Sequence, residues 1–438
     1  MGLGWTLSLR ERWHSQKLTR DIAYTLGSFV VLAISGMVIN LVIASSRDAA
    51  ALGVFNQAYA VYIIASQLAT LGLHYSVLRY TALHDADPVQ RGRLLWTAAL
   101  SALCLGAVAA VVVGSSGFLF ARVFDSELTG RAIAMAGPGL LLFSLNKVLL
   151  AYLNGLRLMK SFALLQAGRY LLVMAGVAGV AVSSLPIEWA TLAFFIAEAC
   201  TLAGALVYLS RGGHLRERCF DRGWLRTHLR FGSKGLAAGM FAEFNSRIDV
   251  LLIGVFLPDR EVGIYSFAAM MVDGLYHVLA MVRLNFNPLL VTVLRDKDEH
   301  QARGLLARSL RLAVPATFGL GLLALAALWV LAVFVAPHKG LLEGLPSLLI
   351  LLTGLVLVSA FVPFDNLLLV SGHPGYQTLQ QLITVGANTA LAVLLLPPLG
   401  IAGAALGTAA SYLAGIAALL WFSPRVVGWN LLTNRFKT

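Results

Sequence analysis

The chain has 438 residues, 58% of them hydrophobic and only 12% charged, with a formal net charge of +12. Apolar stretches of about 20 residues recur along its whole length, enough helix to cross a hydrocarbon core of ~30 Å, and runs of alternating polarity do not compete with them. This excludes a soluble enzyme and an outer-membrane barrel, and the distribution of the positive charge marks topology rather than a nucleic-acid partner.

The first span, near residues 22–44, follows a basic segment carrying Arg10, Arg12, Lys17 and Arg20. It is longer than a signal-peptide core and no small-residue cleavage site follows it, so it is expected to be retained. Five more spans are expected near 54–73, 94–113, 132–152, 161–182 and 188–209. After a polar stretch come six others, near 236–257, 262–287, 309–336, 346–370, 377–397 and 400–422. The expected fold is therefore an all-α membrane protein of 12 transmembrane helices. Residues 1–209 form one six-helix bundle, 210–234 a basic cytoplasmic linker, and 235–438 the second bundle.

With the N-terminus inside, 24 of the 33 basic residues fall in cytoplasmic segments. The outer loops hold only Arg47, Arg122, Arg131, Arg260 and Lys339. This asymmetry predicts a multi-pass protein of a bacterial inner membrane with both termini cytoplasmic. The arginines and Trp224 of the linker suit either anionic lipid headgroups or plain solvation.

The two halves echo one another. Leu52-Gly53-Val54-Phe55 at the second span matches Val262-Gly263-Ile264-Tyr265 at the eighth, and Arg91-Gly92 before the third matches Arg303-Gly304 before the ninth. Asn154-Gly155 after the fourth is likewise followed by Ser371-Gly372 after the tenth. Matches in the same order at a nearly constant offset predict a parallel repeat of six spans, the pattern of transporters that rock two bundles about a site. Gly137-Pro138-Gly139, Pro288, Pro315 and Pro363 punctuate the spans, either as bendable points or as kinks that fit the bundle.

The seventh span carries charge in its middle: Glu243, Arg247 and Asp249. In a continuous helix Glu243 and Arg247 share one face while Asn245 and Asp249 share the nearly opposite one, so each charge would seek a different neighbour unless the helix unwinds. Three other bases lie within spans: Lys147, Arg169 and Arg283. Lys147 and Arg283 sit near cytoplasmic ends and can snorkel, whereas Arg169 and Arg247 lie deeper and are the stronger candidates for a cationic substrate site. The embedded acids are Glu198, Glu243, Asp249, Asp273 and Asp365, which either neutralise these bases or bind a coupling H⁺ or Na⁺. A purely structural role, charges tying the bundle together, stays open.

Soluble catalytic motifs are absent: there is no P-loop, GxSxG, HExxH or Cys/His cluster. His74, His84, His214, His228, His277, His300, His338 and His373 are scattered, mostly at loop ends, where surface roles are expected. Cys104, Cys200 and Cys219 show no metal spacing and are expected to be reduced. A membrane glycosyltransferase or polymerase would be expected to carry a large outer domain, which the short outer loops do not provide. Neither an enzyme nor a metal cofactor is expected.

Arg247-Ile248-Asp249-Val250-Leu251-Leu252-Ile253-Gly254, followed by Gly263-Ile264-Tyr265, resembles the seventh-to-eighth span signature of polysaccharide flippases in the multidrug, oligosaccharidyl-lipid and polysaccharide exporter superfamily. Gly53-Val54-Phe55 with Leu71-Gly72-Leu73, and Leu399-Gly400-Ile401-Ala402-Gly403-Ala404-Ala405, are similar to that family's other recurrent turns. The resemblance covers nearly the whole chain. It implies two bundles forming a V around a central cationic cavity, carrying an undecaprenyl-diphosphate-linked oligosaccharide, of O-antigen or exopolysaccharide type, between leaflets by alternating access. The partners it implies are that lipid-linked oligosaccharide, membrane lipids and, as a candidate, polysaccharide polymerase machinery. Drug and cation exporters of the same superfamily also have twelve spans and are the competing reading, whereas lipid II flippases usually have fourteen. Arginine suits a diphosphate because its planar fork donates two parallel hydrogen bonds.

Overall fold

The computed structural model describes residues 9–84, 86–217, 219–336, 339–433 and 435–436; His338 lies outside them. The chain is helical almost throughout, in the order α1 Leu9–Ser46, α2 Ala49–Thr70, α3 Leu73–Leu83, α4 Pro88–Ser115, α5 Gly117–Val123, α6 Glu127–Gly155, α7 Met159–Val182 and α8 Leu192–Arg211. There follow α9 Arg222–Asn245, α10 Ile248–Phe256, α11 Asp259–Asp296, α12 Glu299–Val330, α13 Leu345–Val358, α14 Leu367–Val370, α15 Pro374–Leu399 and α16 Ile401–Phe422. Two short strands, β1 Trp429–Asn430 and β2 Arg435–Phe436, close the described chain as an antiparallel pair. Eleven spans among the described residues are long and apolar enough to cross a membrane.

The seventh expected span, 236–257, is the one missing from that set, because it is not one helix. It breaks at Ser246 and Arg247, leaving α9 and α10 as separate segments. Ser246 Oγ turns back to donate to the Glu243 carbonyl at 2.9 Å, taking up one of the acceptors that the break leaves open.

Helix starts follow side-chain chemistry. Asp87 caps α4 by accepting from Val89 N and Gln90 N at 3.1 and 3.0 Å, with Pro88 pre-set for the first turn. Asp298 caps α12 in the same way, accepting from His300 N and Gln301 N at 2.9 and 3.0 Å. The third and ninth expected spans thus begin alike, as the repeat requires.

The contacts gather the helices into two compact units. One comprises residues through Ile39, Ala65–Ser116 and Ile133–Ala237; the other comprises Asn40–Ile64, Gly117–Ala132 and the chain from Ala238 onward. The first is built on Leu73, Leu94, Leu95, Val148, Tyr152 and Leu153. The second is built on Phe286, Leu290, Phe364, Leu367, Leu419 and Trp429.

Within the second unit the two repeat-matched glycines meet. A Cβ on Gly53 would fall on the Asp259 carbonyl and stand 3.1 Å from Gly263 N; a Cβ on Gly263 would fall on the Ala49 carbonyl and stand 3.0 Å from Gly53 N. Each glycine touches the other and the carbonyl four residues before it. Such reciprocal contact is the mark of a two-fold relation, and only glycine lets two helix backbones approach so closely. Asp259 is fastened beside this crossing: it accepts from Gln57 Nε2 at 2.6 Å, Ser126 Oγ at 2.5 Å and Thr129 Oγ1 at 3.1 Å. In the first unit Gly137 plays a similar part, lying against Gly114 of α4 (a Cβ would be 2.7 Å from Gly114 N), so close packing accounts for this glycine of the Gly-Pro-Gly run.

His228 corrects the expectation of surface histidines, because it is fully buried. Its Nε2 donates to the Leu94 carbonyl at 3.2 Å, which leaves Nδ1 to accept from Ser76 Oγ at 2.8 Å. A neutral ring satisfies both contacts, and burial pushes its pKa down from 6.5 to about 4. Because the unfolded chain binds this proton more readily, the stabilisation is complete above pH 6.5 and is lost as pH falls toward 4, by up to roughly 3 kcal/mol. Thermal melts of the purified protein from pH 7.5 to 4.5 should show wild type losing more stability across that window than His228→Gln. Parallel curves would contradict this account.

Candidate functional site

In the first unit the bases gather around one aromatic ring. Phe143, Asn146 and Lys147 project from α6, and Arg169 and Tyr170 from α7. The Lys147 ammonium and the Arg169 guanidinium lie 5.5 and 5.4 Å from the Phe143 ring centre, and Arg169 also lies 4.9 Å from that of Tyr170. Glu198 of α8, buried, takes Arg169 Nη1 at 3.4 Å and Asn146 Nδ2 at 2.7 Å. Asn146 Nδ2 also donates to the Glu198 carbonyl at 2.8 Å, so the acid is held from two sides. Lys147 Nζ reaches instead to Gln67 Oε1 at 2.7 Å. His74 of α3 is near enough that burial, together with the Lys147 charge, lowers its pKa to about 3, and its buried Nδ1 has no hydrogen-bond partner among the described residues.

In the second unit the break in the seventh span sets the geometry. Once the helix unwinds, four-residue spacing no longer fixes where Glu243, Arg247 and Asp249 point. Arg247 becomes the residue that caps α10, with φ −133° and ψ −11°. Its guanidinium lies over the Tyr59 ring at 5.0 Å, and its Nε is buried without a hydrogen-bond partner among the described residues. Asp249 is buried in the first turn of α10, where a carboxylate complements the helix dipole. Tyr265 donates to Asp249 Oδ2 at 2.7 Å and stands 3.3 Å from Thr408 Oγ1, which in turn reaches Asn388 Oδ1 at 3.4 Å. The Arg247 charge acts on both Asp249 and Asp273.

Arg283 and Asp365 form a separate pair at 2.7 Å, both partly buried. Asp365 is further fixed by Gln380 Nε2 at 2.8 Å, which also reaches the Gly415 carbonyl at 3.2 Å. Paired, hydrogen-bonded charges of this kind hold elements in register. Glu243 lies in the last turn of α9, four residues before Arg247, with its backbone carbonyl tied to Ser246.

The structure thus joins Arg169 to Glu198, Arg283 to Asp365, and Arg247 to the surroundings of Asp249 and Asp273. Tyr59, Tyr265, Asn388 and Thr408 were not legible as participants. Asn388 and Thr408 are polar groups within apolar spans, a weak signal that names no partner, and Tyr265 stood only as part of the Gly263-Ile264-Tyr265 motif.

A family model described as polysaccharide biosynthesis protein matches residues 18–283. Among solved structures, a multidrug resistance MATE family transporter of the MOP superfamily in an inward-facing conformation is similar, with a TM-score of 0.76 and 13% identity over 92% of this chain and 95% of that one. Lipid II flippase MurJ in an inward closed conformation gives 0.74 and 13% over 92% and 87%. A MOP superfamily transporter from Pyrococcus furiosus gives 0.63 and 13% over 93% and 95%. At such identity the likeness is one of fold, the all-α architecture of two repeated helical bundles. No curated protein matches the chain.

Proposed function

Because the chain belongs to the polysaccharide biosynthesis protein family, we propose that this multi-pass membrane protein is a flippase that moves a polyprenyl-diphosphate-linked oligosaccharide from the cytoplasmic to the outer leaflet by alternating access. The observation that carries the reading is Arg247: an arginine at a helix break, over the Tyr59 ring, whose buried Nε has no hydrogen-bond partner among the described residues. Interrupted helices place charged and backbone groups at substrate sites in transporters, and a guanidinium suits a diphosphate. Lys147, held through Gln67, and Arg169 add positive charge in the first unit. A glycan diphosphate needs such polar, basic surroundings, because its transfer through hydrocarbon is prohibitive.

The acids support a coupled process. Asp249, buried among Tyr265, Thr408 and Asn388, is the residue proposed to exchange H⁺ or Na⁺ during transport. In proteoliposomes, wild-type transport should respond to an imposed H⁺ or Na⁺ gradient, and Asp249→Asn should lose that response while still binding substrate. Transport indifferent to both gradients would remove the coupling proposal.

The same acids would also serve a drug or cation antiporter, the second reading. Native mass spectrometry separates the two: retention of undecaprenyl-diphosphate oligosaccharide supports the flippase, and retention of cationic dyes without it supports the antiporter. Both termini are proposed to lie in the cytoplasm of a bacterial inner-membrane protein, on the charge asymmetry of the loops.

A further inference from the structure

A cavity of about 570 Å³ opens at the cytoplasmic ends of α7 and α8, lined by Leu158, Gly204, Val207, Tyr208, Arg211 and His214. Its volume is that of small-ligand sites. One part is apolar: Gly204 leaves room where a Cβ would meet Leu165 at 2.9 Å, and Val207 beside it is 48% exposed. The other part is basic. Arg211 lines it from the last turn of α8 and is exposed, and Arg216, just outside the lining, sits against Gly213 of the adjoining turn, where a Cβ would be 3.3 Å from its Nε.

The end of α8 keeps its own carbonyls out of this space. His214 N bonds to the Leu209 carbonyl, Gly212 N to that of Tyr208 and Gly213 N to that of Ser210, each at 3.0 Å. Gly213 makes the turn possible at φ +70°, which glycine adopts without strain. The His214 ring folds back over Gly212 (a Cβ there would be 2.7 Å from its Cδ2), with Nδ1 3.4 Å from Tyr152 OH. Burial and the nearby Arg91 charge push its pKa below 6.5, so the ring meets a ligand neutral, as a polar contact near the exposed Arg211 and Arg216. The nearest acid along the chain, Glu217, packs its stem against Gly92.

We infer that this groove binds one anionic phospholipid, with an acyl chain along Gly204 and Val207 and the phosphate head against Arg211 and Arg216. The shape requires an occupant that is apolar at one end and anionic at the other, and the groove lies at the end of two membrane spans whose flanking charge is basic. The site is distinct from Arg247 and stands whether or not the flippase reading does.

The test is native mass spectrometry of the full chain in detergent, titrated separately with phosphatidylglycerol, phosphatidylcholine and undecaprenyl phosphate. Wild type should retain one phosphatidylglycerol in preference to phosphatidylcholine. The double variant Arg211→Gln with Arg216→Gln should weaken that retention about 30-fold, taking roughly fivefold for each arginine near a lipid surface. Val207→Trp should block it with both charges in place. All three substitutions are at solvent- or lipid-facing positions, and unchanged thermal midpoints would confirm folding. Equal retention of the two phospholipids, unchanged retention in both variants, or displacement of phosphatidylglycerol by equimolar undecaprenyl phosphate would each overturn the proposal.

Discussion

Arg247→Lys should lower transport about tenfold in a protein that still folds, and Arg247→Ala should lower it further, toward 100-fold. The estimate rests on hydrogen bonds to charged groups, worth roughly 1.5–3 kcal/mol each, with 1.4 kcal/mol per factor of ten. Lysine keeps the charge and can stay near the Tyr59 ring, but it lacks the fork that meets two phosphate oxygens at once. Alanine removes both. A folding role would give a different pattern: expression and thermal stability would fall together, and a second change at Glu243 would restore them. Transport at wild-type rate in a stable Arg247→Ala protein would exclude both roles and move attention to Arg169, whose salt bridge with Glu198 already makes it the more structural of the two.

Gly53→Ala should be the most damaging single methyl addition in the chain, with Gly263→Ala its equal. In each case the new Cβ lands on a backbone carbonyl, of Asp259 or Ala49, and both backbones belong to helices that cannot yield locally. The helices must separate, and the hydrogen bonds that Asp259 takes from Gln57, Ser126 and Thr129 would lengthen with them. Overpacking costs about 1–3 kcal/mol where side chains can adjust, and here they cannot, so loss of about 3 kcal/mol or more is expected. Gly168→Ala and Gly386→Ala provide the control, since nothing lies within 4 Å of a Cβ at either position. These should be neutral or stabilise their helices by about 0.5–1 kcal/mol. Size-exclusion profiles and thermal melts of the four variants decide the matter; similar behaviour of all four would contradict the crossing.

The spans were legible because a bilayer imposes length and apolarity on sequence directly, and the repeat was legible because both halves keep glycine at one register. That Gly53 and Gly263 touch each other was not legible, since the sequence marks equivalence and is silent on contact. The break at Ser246 and Arg247 entered only as a condition on the face argument, while the span was read as continuous, because hydrophobic windows average over a helix and one disrupted turn barely changes the mean. The partners of the buried charges were beyond reach. Arg283 finds Asp365 82 residues away, and His228 finds Ser76 152 residues away, so from sequence Arg283 was expected to snorkel and His228 to lie at the surface. Local spacing described Arg247 and Asp249 only until the helix unwound.

The central claim, movement of a lipid-linked oligosaccharide, is tested most directly in proteoliposomes containing undecaprenyl-diphosphate oligosaccharide, with a glycan-specific probe outside the vesicle. Protein-dependent exposure of the glycan to the probe, abolished or sharply reduced by Arg247→Ala, is the predicted result. Exposure no faster than in protein-free vesicles, from folded and correctly inserted protein under both H⁺ and Na⁺ gradients, would contradict it.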